Sequence, residues 1–347
     1  MSSFAKRVSA ACLLISFSAC SPAPVSNQTS MLPTAQVERP RSTTTNQANL
    51  YILNDGSPEY VSVYANGTSH VLYRIKNGAQ HADAMIVDHA GNVYFWGYTP
   101  STSIIVIAAK THKRLFTINS GKFSLGIPAV NSQGDLYVPI PTKEQIFVYG
   151  AGTRKIVRKI GVAFGEFPAM TFDSQNNLYV LKANSTVVEF ANGTDKIVRT
   201  MPVQRNSGEM AIDSLDDLYV LSYPEKSYSS SIEVFGPHGS KPRLTISEGL
   251  SNPHSMAFDS KGDLFVLNAN DITAYASGAT SPYLTFNRNN ANEGTMAIDS
   301  ADNLYVEGEM KGHFNLGYFK VFDLSTNKLV RTVSRDVYVP FALAIGP

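Results

Sequence analysis

A twelve-residue pattern recurs along the chain and constrains its fold more than any other feature. It reads MAFDSKGDLFVL at 256–267, with close copies starting at 296, 210 and 170 and looser copies at 85 and 128. Each copy contains one Asp or Asn, which we call the marker, and the markers are Asp88, Asn131, Asp173, Asp213, Asp259 and Asp299. Their spacings are 43, 42, 40, 46 and 40 residues. A period in this range is typical of proteins built from stacked structural repeats.

Each repeat carries the signals of four short antiparallel strands. An apolar run ends at the marker, a turn such as 260–262 follows, and a second apolar run such as 263–267 completes a hairpin. The remainder, as in STVVEFANGTDKIVRTM at 185–201, alternates apolar and polar residues on both sides of the turn dipeptide Asn192-Gly193. A four-stranded sheet of this size buries both faces only by stacking on its neighbours. The pattern predicts an all-β fold, a β-propeller.

The two ends of the chain predict how the ring closes. Segment 341–345 has the pattern of the first strand of a repeat and is not continued, whereas 49–75 supplies three strands and lacks a first. A last strand that pairs with the N-terminal segment would complete a split blade. Six whole repeats and one split repeat predict seven four-stranded blades in one domain, residues 49–347.

The first 48 residues are predicted to lie outside the propeller. A basic pair at 6 and 7 precedes an apolar stretch, 8–17, that is too short to span a bilayer. The next residues complete FSAC at 17–20, which resembles the lipobox of bacterial lipoproteins, with Phe17 where an aliphatic residue is usual. The resemblance implies that residues 1–20 are a signal peptide and that Cys20 accepts the lipid. The alternative is an ordinary secretory signal cleaved near Cys20.

The remaining composition agrees with an exported, anchored protein. The other cysteine, Cys12, lies in the predicted signal, so a mature chain has no internal disulfide. Residues 21–48 are rich in Ser, Thr, Pro, Asn and Gln and predict a disordered tether with a reach of roughly 30 Å. The formal net charge is +1 and no basic run occurs, which argues against nucleic acid as a partner. We expect a monomer at the membrane surface of the bacterial cell envelope, periplasmic or extracellular, with an unknown protein or small-molecule partner.

The markers begin Asp-rich turns such as DSLDD and DSADN. These turns faintly resemble calcium-binding loops, but they lack the glycine at the sixth position and the downstream bidentate glutamate. Asp and Ser at the start of a turn accept hydrogen bonds from the backbone that follows them. We therefore interpret the markers as turn-forming residues.

Candidate site residues are expected at one mouth of the ring. There the segments leading into the inner strands meet the loops that join second and third strands, and convergent polar groups in a concave surface favour ligand binding. The leading segments contribute His81, Asp83, Glu166, Asn206, Glu209, Asn252, His254, Asn292 and Glu293, and the loops contribute Asn54, Asp55, Lys143, Glu144, Asn184, Tyr223, Glu225, Asn268, Asn270, Glu309 and His313. Among these, we predict that Asp83, Asn206, Asn268 and Asn270 bind the ligand.

The repeat pattern P-x-x-M-A-x-D-x-x-G-D/N-L-Y/F-V, followed by x-V-Y/F-A-x-G, is similar to NHL-type repeats of lipoprotein and extracellular propellers. Streptogramin lyase shares this architecture with seven blades, and its PHGIA segment resembles NPHSMAFD around His254. The lyase uses a histidine and a glutamate with magnesium. The resemblance implies that His254 is catalytic, with Glu209 or Glu293 as the second acid or base. The strand endings YVLK, YVLS, FVLN and YVEG lack the aromatic ending of that family.

The gluconolactonase (regucalcin-like) family is a second resemblance, with six blades and a bound metal. It implies a cation held by Glu209, Asn268 and Glu293, and the predicted seventh blade counts against it. Either enzyme would need Mg²⁺ or Ca²⁺, and the sequence does not determine the metal ligands. The strongest features predict an envelope-anchored, extracytoplasmic binding or interaction module rather than an enzyme. It would act through the axial mouth and the long loops at 221–231 and 307–317, which depart most from the repeat.

Overall fold

The computed structural model describes thirteen stretches of the chain: residues 48–54, 60–65, 68–76, 82–98, 102–119, 126–163, 169–182, 185–204, 207–222, 229–287, 295–309, 316–338 and 340–347. These residues form seven four-stranded antiparallel sheets arranged as blades around a common axis. The predicted all-β propeller with seven blades is confirmed.

Blade 1 is built from both ends of the chain. Its strands, from the axis outward, are β28 (Pro340–Gly346), β1 (Asn49–Asn54), β2 (Tyr60–Tyr64) and β3 (Val71–Ile75). Strand β28 pairs antiparallel with β1, so that Leu50 faces Ile345. The Asn49 side-chain amide and the Tyr51 hydroxyl both donate to the Pro347 carbonyl oxygen, at 3.1 and 3.2 Å. The predicted split blade is therefore confirmed.

The other six blades take consecutive strands, in order from the axis outward. Blade 2 contains β4 (Ala82–Val87), β5 (Val93–Tyr98), β6 (Thr102–Ile107) and β7 (Arg114–Asn119); blade 3 contains β8 (Ala129–Val130), β9 (Leu136–Ile140), β10 (Gln145–Tyr149) and β11 (Ile156–Gly161). Blade 4 contains β12 (Met170–Phe172), β13 (Leu178–Lys182), β14 (Thr186–Phe190) and β15 (Ile197–Pro202); blade 5 contains β16 (Ser207–Ile212), β17 (Leu218–Ser222), β18 (Ser231–Phe235) and β19 (Leu244–Ile246). Blade 6 contains β20 (Ser255–Phe258), β21 (Leu264–Leu267), β22 (Asp271–Tyr275) and β23 (Leu284–Asn287); blade 7 contains β24 (Met296–Ile298), β25 (Asn303–Glu309), β26 (Gly317–Asp323) and β27 (Lys328–Val333). One 3-10 turn, Pro141–Lys143, joins β9 to β10.

The hydrophobic core lies between the blades. Middle strands such as β17 and β18 are buried along their whole length, whereas an outer strand such as β11 is mostly exposed. At the seam of blades 5 and 6, Leu221 and Val234 pack with Met256 and Val266. Burial of both faces explains the near-continuous apolar runs of the repeat, and it makes each blade dependent on its neighbours. Within the described stretches, no helix has the length and apolar character needed to span a bilayer.

The marker organises the turn between the first and second strands. In blade 2, Asp88 Oδ1 accepts hydrogen bonds from the N–H groups of Ala90 and Asn92, at 2.9 and 2.8 Å, and Oδ2 accepts one from the Tyr94 hydroxyl at 2.9 Å. The same two hydrogen bonds, donated by the backbone N–H groups two and four residues later, are accepted by the side chains of Asn131, Asp173, Asp213, Asp259 and Asp299. The turn-forming role of the markers is thereby confirmed.

A contact that the sequence analysis did not predict joins the turns of adjacent blades. The residue three positions after each marker has a positive φ, and these residues are Gly91, Gly134, Asn176, Asp216, Gly262 and Asp302. Where this residue is Asp or Asn, its side chain accepts hydrogen bonds from a serine of the preceding blade. Ser174 donates to Asp216 through its N–H at 2.8 Å and its hydroxyl at 2.7 Å. The same contact joins Ser132 to Asn176 and Ser260 to Asp302. Asp and Asn are the side chains that tolerate this backbone conformation best after glycine.

Candidate functional site

Near the axial mouth, where the segments leading into the inner strands converge, one described position of the inner strand is polar on one side of the ring and apolar on the other. The position in question lies four residues before each marker, near the start of the inner strand. Blade 1 has no marker, but Ala342 of β28 pairs with Leu53 as Glu209 of β16 pairs with Leu221, so Ala342 is at the same position. The residue at this position is apolar in four blades, which have Ala84, Ile127, Ala169 and Ala342. It is polar in the other three, which have Glu209, Ser255 and Thr295. Blades 5, 6 and 7 are consecutive, so these three residues form a polar arc around part of the axis. We call Glu209, Ser255 and Thr295 the polar arc.

Glu209 is buried at the seam between blades 5 and 6. Its Oε1 accepts a hydrogen bond from the Met256 N–H of β20 at 3.1 Å. Its Oε2 and the Ser255 Oγ are also buried, and apart from their interaction with each other neither atom has a hydrogen-bond partner within the described stretches. A buried polar atom left unpaired costs about 1–3 kcal/mol. Such atoms call for a specific explanation, and a bound group is one of the standard ones.

Burial also changes the protonation of this carboxyl. It raises the pKa of Glu209 from 4.5 to about 8, because the ionised form loses its hydration. The Met256 N–H and the nearby Ser255 hydroxyl favour the ionised form, but their effect on the pKa is smaller than that of burial. At neutral pH the group is therefore mostly protonated, and it can donate a hydrogen bond as well as accept one. A carboxyl titrating near the working pH is also suited to acid or base catalysis.

Thr295 makes the corresponding contact at the seam between blades 7 and 1. Its Oγ1 accepts the Leu343 N–H of β28 at 3.2 Å, and Leu343 is the register equivalent of Met256. The N–H of Thr295 donates to Oε1 of the buried Glu307 in β25 at 2.8 Å. Glu307, Ser255 and Thr295 were not among the residues predicted from the sequence. Two signals were present: polar residues replace alanine in three successive repeats, and the strand ending YVEG carries an acid where YVLK, YVLS and FVLN carry leucine.

His254, the predicted catalytic histidine, lies at the same seam as Glu209. It immediately precedes β20, two residues before the Met256 N–H that Glu209 binds. Its own N–H donates to the Leu267 carbonyl oxygen at 2.7 Å, and its Nε2 lies 3.3 Å from the Asn252 Nδ2. Two of the three predicted catalytic residues thus lie near the start of the same inner strand, β20. The third, Glu293, lies outside the described stretches.

Asn268, predicted to bind ligand or metal, is buried and engaged within its own blade. Its Oδ1 accepts the Ser251 N–H at 3.0 Å. Its Nδ2 lies within hydrogen-bond distance of Gly249 O, Asp271 Oδ1 and Thr273 Oγ1, at 3.0, 2.7 and 3.2 Å. Asn54 has the equivalent arrangement in blade 1, where its Oδ1 accepts the Tyr338 N–H. Both amides join the end of the second strand of their blade to the segment leading into the inner strand.

The remaining predicted residues can be placed only in part. Asn270 is exposed in the loop after β21. Asn206, Cys20 and the side chain of Asp83 lie outside the described part of the chain, so their predicted roles remain predictions. Within that part, no three His, Cys, Asp or Glu side chains come close enough together to hold a metal ion. Glu209 and Ser255 offer two oxygens of the kind that Mg²⁺ and Ca²⁺ prefer.

The chain shares its fold, but not its sequence, with known proteins. No protein-family model matches it, and neither does any curated protein. It is similar to apo AztD from Citrobacter koseri, with a TM-score of 0.65 and 11% identity over 86% of this chain and 97% of that one. It is also similar to a functionally unknown protein from Desulfotomaculum acetoxidans, with a TM-score of 0.66 and 12% identity over 86% of this chain and 98% of that one. For Hsv2 from Kluyveromyces lactis the TM-score is 0.62 and the identity 11%, over 83% of this chain and 96% of that one. At this identity the similarity shows the propeller fold alone.

Proposed function

We propose that the protein is an exported binding or interaction module, anchored at the bacterial cell envelope through Cys20, that takes its partner at the axial mouth. The observation that carries this proposal is the buried Glu209 carboxyl beside the buried Ser255 hydroxyl in the polar arc, whose Oε2 and Oγ have no partner other than each other within the described stretches. A ring with a purely structural role does not need them, because alanine occupies the same position in blades 1, 2 and 4. The lipobox-like FSAC at 17–20 and the tether at 21–48 support the anchor.

The chemistry of the polar arc favours a small, uncharged polar ligand. A protonated carboxyl donates one hydrogen bond, and a serine hydroxyl both donates and accepts. Together they fit a ligand that presents a hydroxyl or carbonyl oxygen. The segments predicted as long loops at 221–231 and 307–317 begin and end in strands β17, β18, β25 and β26, and their middle parts, 223–228 and 310–315, lie outside the described stretches; we propose that these parts supply further contacts.

The test is a thermal-shift titration with a panel of sugars, amino acids and lactones. A ligand of the polar arc should stabilise the wild-type protein and lose at least tenfold in affinity in Glu209→Ala and in Ser255→Ala, the loss expected when about 1.4 kcal/mol of binding free energy is removed. Glu233→Gln is the matched control, because Glu233 is a buried acid on β18 of the same blade and accepts the Gln204 N–H at 2.9 Å. Equal affinity in all four proteins would place the site elsewhere.

The anchor has its own test. In a bacterial host the wild-type chain should partition with membranes and incorporate labelled palmitate, whereas Cys20→Ser should be exported without label. An unlabelled wild-type chain in the soluble fraction would contradict the proposed anchor. This outcome would not bear on the proposed binding site.

A metal-assisted lyase or lactone hydrolase is the second candidate function. It is favoured by the Glu209 carboxyl, whose pKa burial raises to about 8, at the seam that also holds His254. In this reaction His254 and Glu209 would transfer protons, and Mg²⁺ or Ca²⁺ would be held with the help of Glu293. Turnover of a cyclic ester in the presence of either cation should be abolished in His254→Ala. Turnover that is equal in the wild type and in this variant would exclude the assignment.

A further inference from the structure

Five of the seven outer strands contain a β-bulge at the same place. Where β14 pairs with β15, Glu189 faces Arg199 and Phe190 faces Ile197, which leaves Val198 without a partner. Blades 1, 2, 3 and 7 show the same shift, and the described pairs of blades 5 and 6 do not. The unpaired residue is always aliphatic and exposed: Leu72 at 44%, Leu115 at 47%, Val157 at 55%, Val198 at 49% and Val330 at 50%. We call these five residues the bulge knobs.

The bulge has a structural explanation, but the aliphatic residue on it does not. A bulge twists an edge strand and interrupts its row of backbone donors and acceptors, which protects the edge from pairing with another chain. A polar residue at the unpaired position would do this equally well. An exposed aliphatic side chain repeated at the same position of five blades therefore indicates a contact surface.

The outer strands that carry the bulge knobs contain basic residues and lack acidic ones. The seven outer strands contain seven basic residues and no acidic one, although the whole chain has 29 basic and 28 acidic residues. The seven are Arg74, Arg114, Arg158, Lys159, Arg199, Lys328 and Arg331. Four of them are engaged or partly buried: Arg74 and Arg199 form ion pairs with Asp336 and Glu189, Arg158 donates to the Tyr137 hydroxyl, and the Nε of Arg331 is buried.

Blades 3 and 4 carry the fullest version of this surface. The sequence KIVR occurs at 155–158 and again at 196–199, and Ile156 and Ile197 are exposed at 39% and 49%, beside Val157 and Val198. The lysine of each copy is exposed and forms no ion pair within the described stretches. The two blades are neighbours, so both copies lie on one arc of the ring. We call this surface the blade 3–4 rim: Lys155, Ile156, Val157, Lys196, Ile197 and Val198.

We propose that the blade 3–4 rim docks edge-on against an anionic lipid bilayer, with its four aliphatic side chains in the headgroup region and its two lysines against lipid phosphates. Exposed apolar side chains enter the headgroup region of a bilayer and lysines are attracted to anionic lipids, so this combination suits a membrane interface. A peptide strand would need the continuous edge that the bulge interrupts. A second copy docked through the same rim would place Lys155 and Lys196 against lysines. This surface is separate from the polar arc and does not depend on the lipid at Cys20.

The test uses the full chain carrying Cys20→Ser, which accepts no lipid, and co-sedimentation with vesicles. The protein should bind phosphatidylcholine vesicles that contain phosphatidylglycerol, and it should bind pure phosphatidylcholine vesicles much more weakly. The double variant Lys155→Glu/Lys196→Glu should lose at least about tenfold in vesicle affinity, because each lysine near an anionic surface contributes on the order of a several-fold factor. Val157→Ser/Val198→Ser should also weaken binding, and added salt should weaken the wild type.

The matched control is Lys328→Glu/Val330→Ser on blade 7, which alters the same motif on another arc of the ring. It should bind vesicles like the wild type. The substituted side chains of the rim and of blade 7 are all exposed, so we expect unchanged unfolding midpoints, and these verify that each variant is folded. Three results would overturn the proposal: no binding to anionic vesicles, equal binding by the rim variants and the wild type, or an equal loss in the blade 7 control. Binding to poly-glutamate without binding to vesicles would assign the rim to an acidic protein instead.

Discussion

Glu209 occupies a position at which three other blades have alanine. Its burial against blade 6 raises the pKa of its carboxyl. In the unfolded chain it titrates near its ordinary pKa of 4.5, and in the folded protein burial raises the pKa to about 8. Between these values the folded protein keeps a proton that the unfolded chain has released. The free energy of unfolding therefore falls as the pH rises through this window.

Glu209→Gln should remove this pH dependence, because glutamine does not titrate and keeps an acceptor for the Met256 N–H. A single group contributes at most about 1.4 kcal/mol per pH unit, so the wild type should lose stability more steeply than the variant between pH 4.5 and pH 8. Urea unfolding across this range measures the difference. Burial also raises the pKa of Asp173 and Asp213, but both residues are present in the wild type and in the variant, so their contributions to the pH dependence cancel in the comparison. Parallel stability profiles would show that Glu209 is not a neutral, buried acid.

Ser174 is the residue that ties the turn of blade 4 to the turn of blade 5. Ser174→Ala removes the hydroxyl that donates to Asp216 at 2.7 Å, and we expect a loss of about 1 kcal/mol in the free energy of unfolding. Ser214 is the matched control, because it has the same place in its turn and the corresponding residue of the next blade is Gly262, which offers no side chain. Ser214→Ala should change stability by less than about 0.5 kcal/mol. Equal losses in the two variants would contradict a specific contact between blades.

At the scale of elements, the repeat predicted the strands well and the contacts between blades poorly. The hairpins, the marker turns and the order of strands within a blade follow from alternation and turn residues that lie close together in the sequence. The Ser174 to Asp216 contact joins residues 42 positions apart, and the burial of Glu209 depends on Met256, 47 positions away. Neither has a local signature. The bulge at Val198 was equally hidden, because one extra residue in an outer strand leaves the apolar pattern of that strand almost unchanged.

The segment that crosses from blade 5 to blade 6 has a geometry that restricts its sequence at one residue. Gly249 has a φ of +77°, and a Cβ there would lie 2.8 Å from the Tyr275 hydroxyl oxygen and 2.9 Å from the Pro282 Cγ. The Tyr275 hydroxyl is held in place by its 2.6 Å hydrogen bond to the Glu248 carbonyl oxygen. This segment therefore fits against blade 6 only if residue 249 has no side chain.

Gly249→Ala should lower the free energy of unfolding by about 2–4 kcal/mol, the sum of backbone strain and overpacking. Gly278→Ala isolates the backbone part, because Gly278 has a similar φ of +75° and open space around it. Its cost should be about 1 kcal/mol. Chemical denaturation of both variants measures the difference, and equal costs would mean that Tyr275 and Pro282 move aside.

At the scale of the whole molecule, the sequence predicted a closed ring because its last strand had no partner except its first segment. Removal of 340–347 tests this closure. It takes away β28, exposes Leu50 and Ile52, and leaves β1 as an open edge beside blades 2 and 7. Stability in a ring of interdependent sheets is shared between seams, so the truncated chain should lose two seams at once. We expect a melting temperature lower by on the order of 10 °C or more, or loss of a cooperative transition.

Tyr51→Phe is the control, because it removes only the 3.2 Å hydrogen bond to the Pro347 carbonyl oxygen and should cost about 1 kcal/mol with cooperativity intact. A truncated chain that melts cooperatively at the wild-type temperature would show that the ring does not depend on its closing strand.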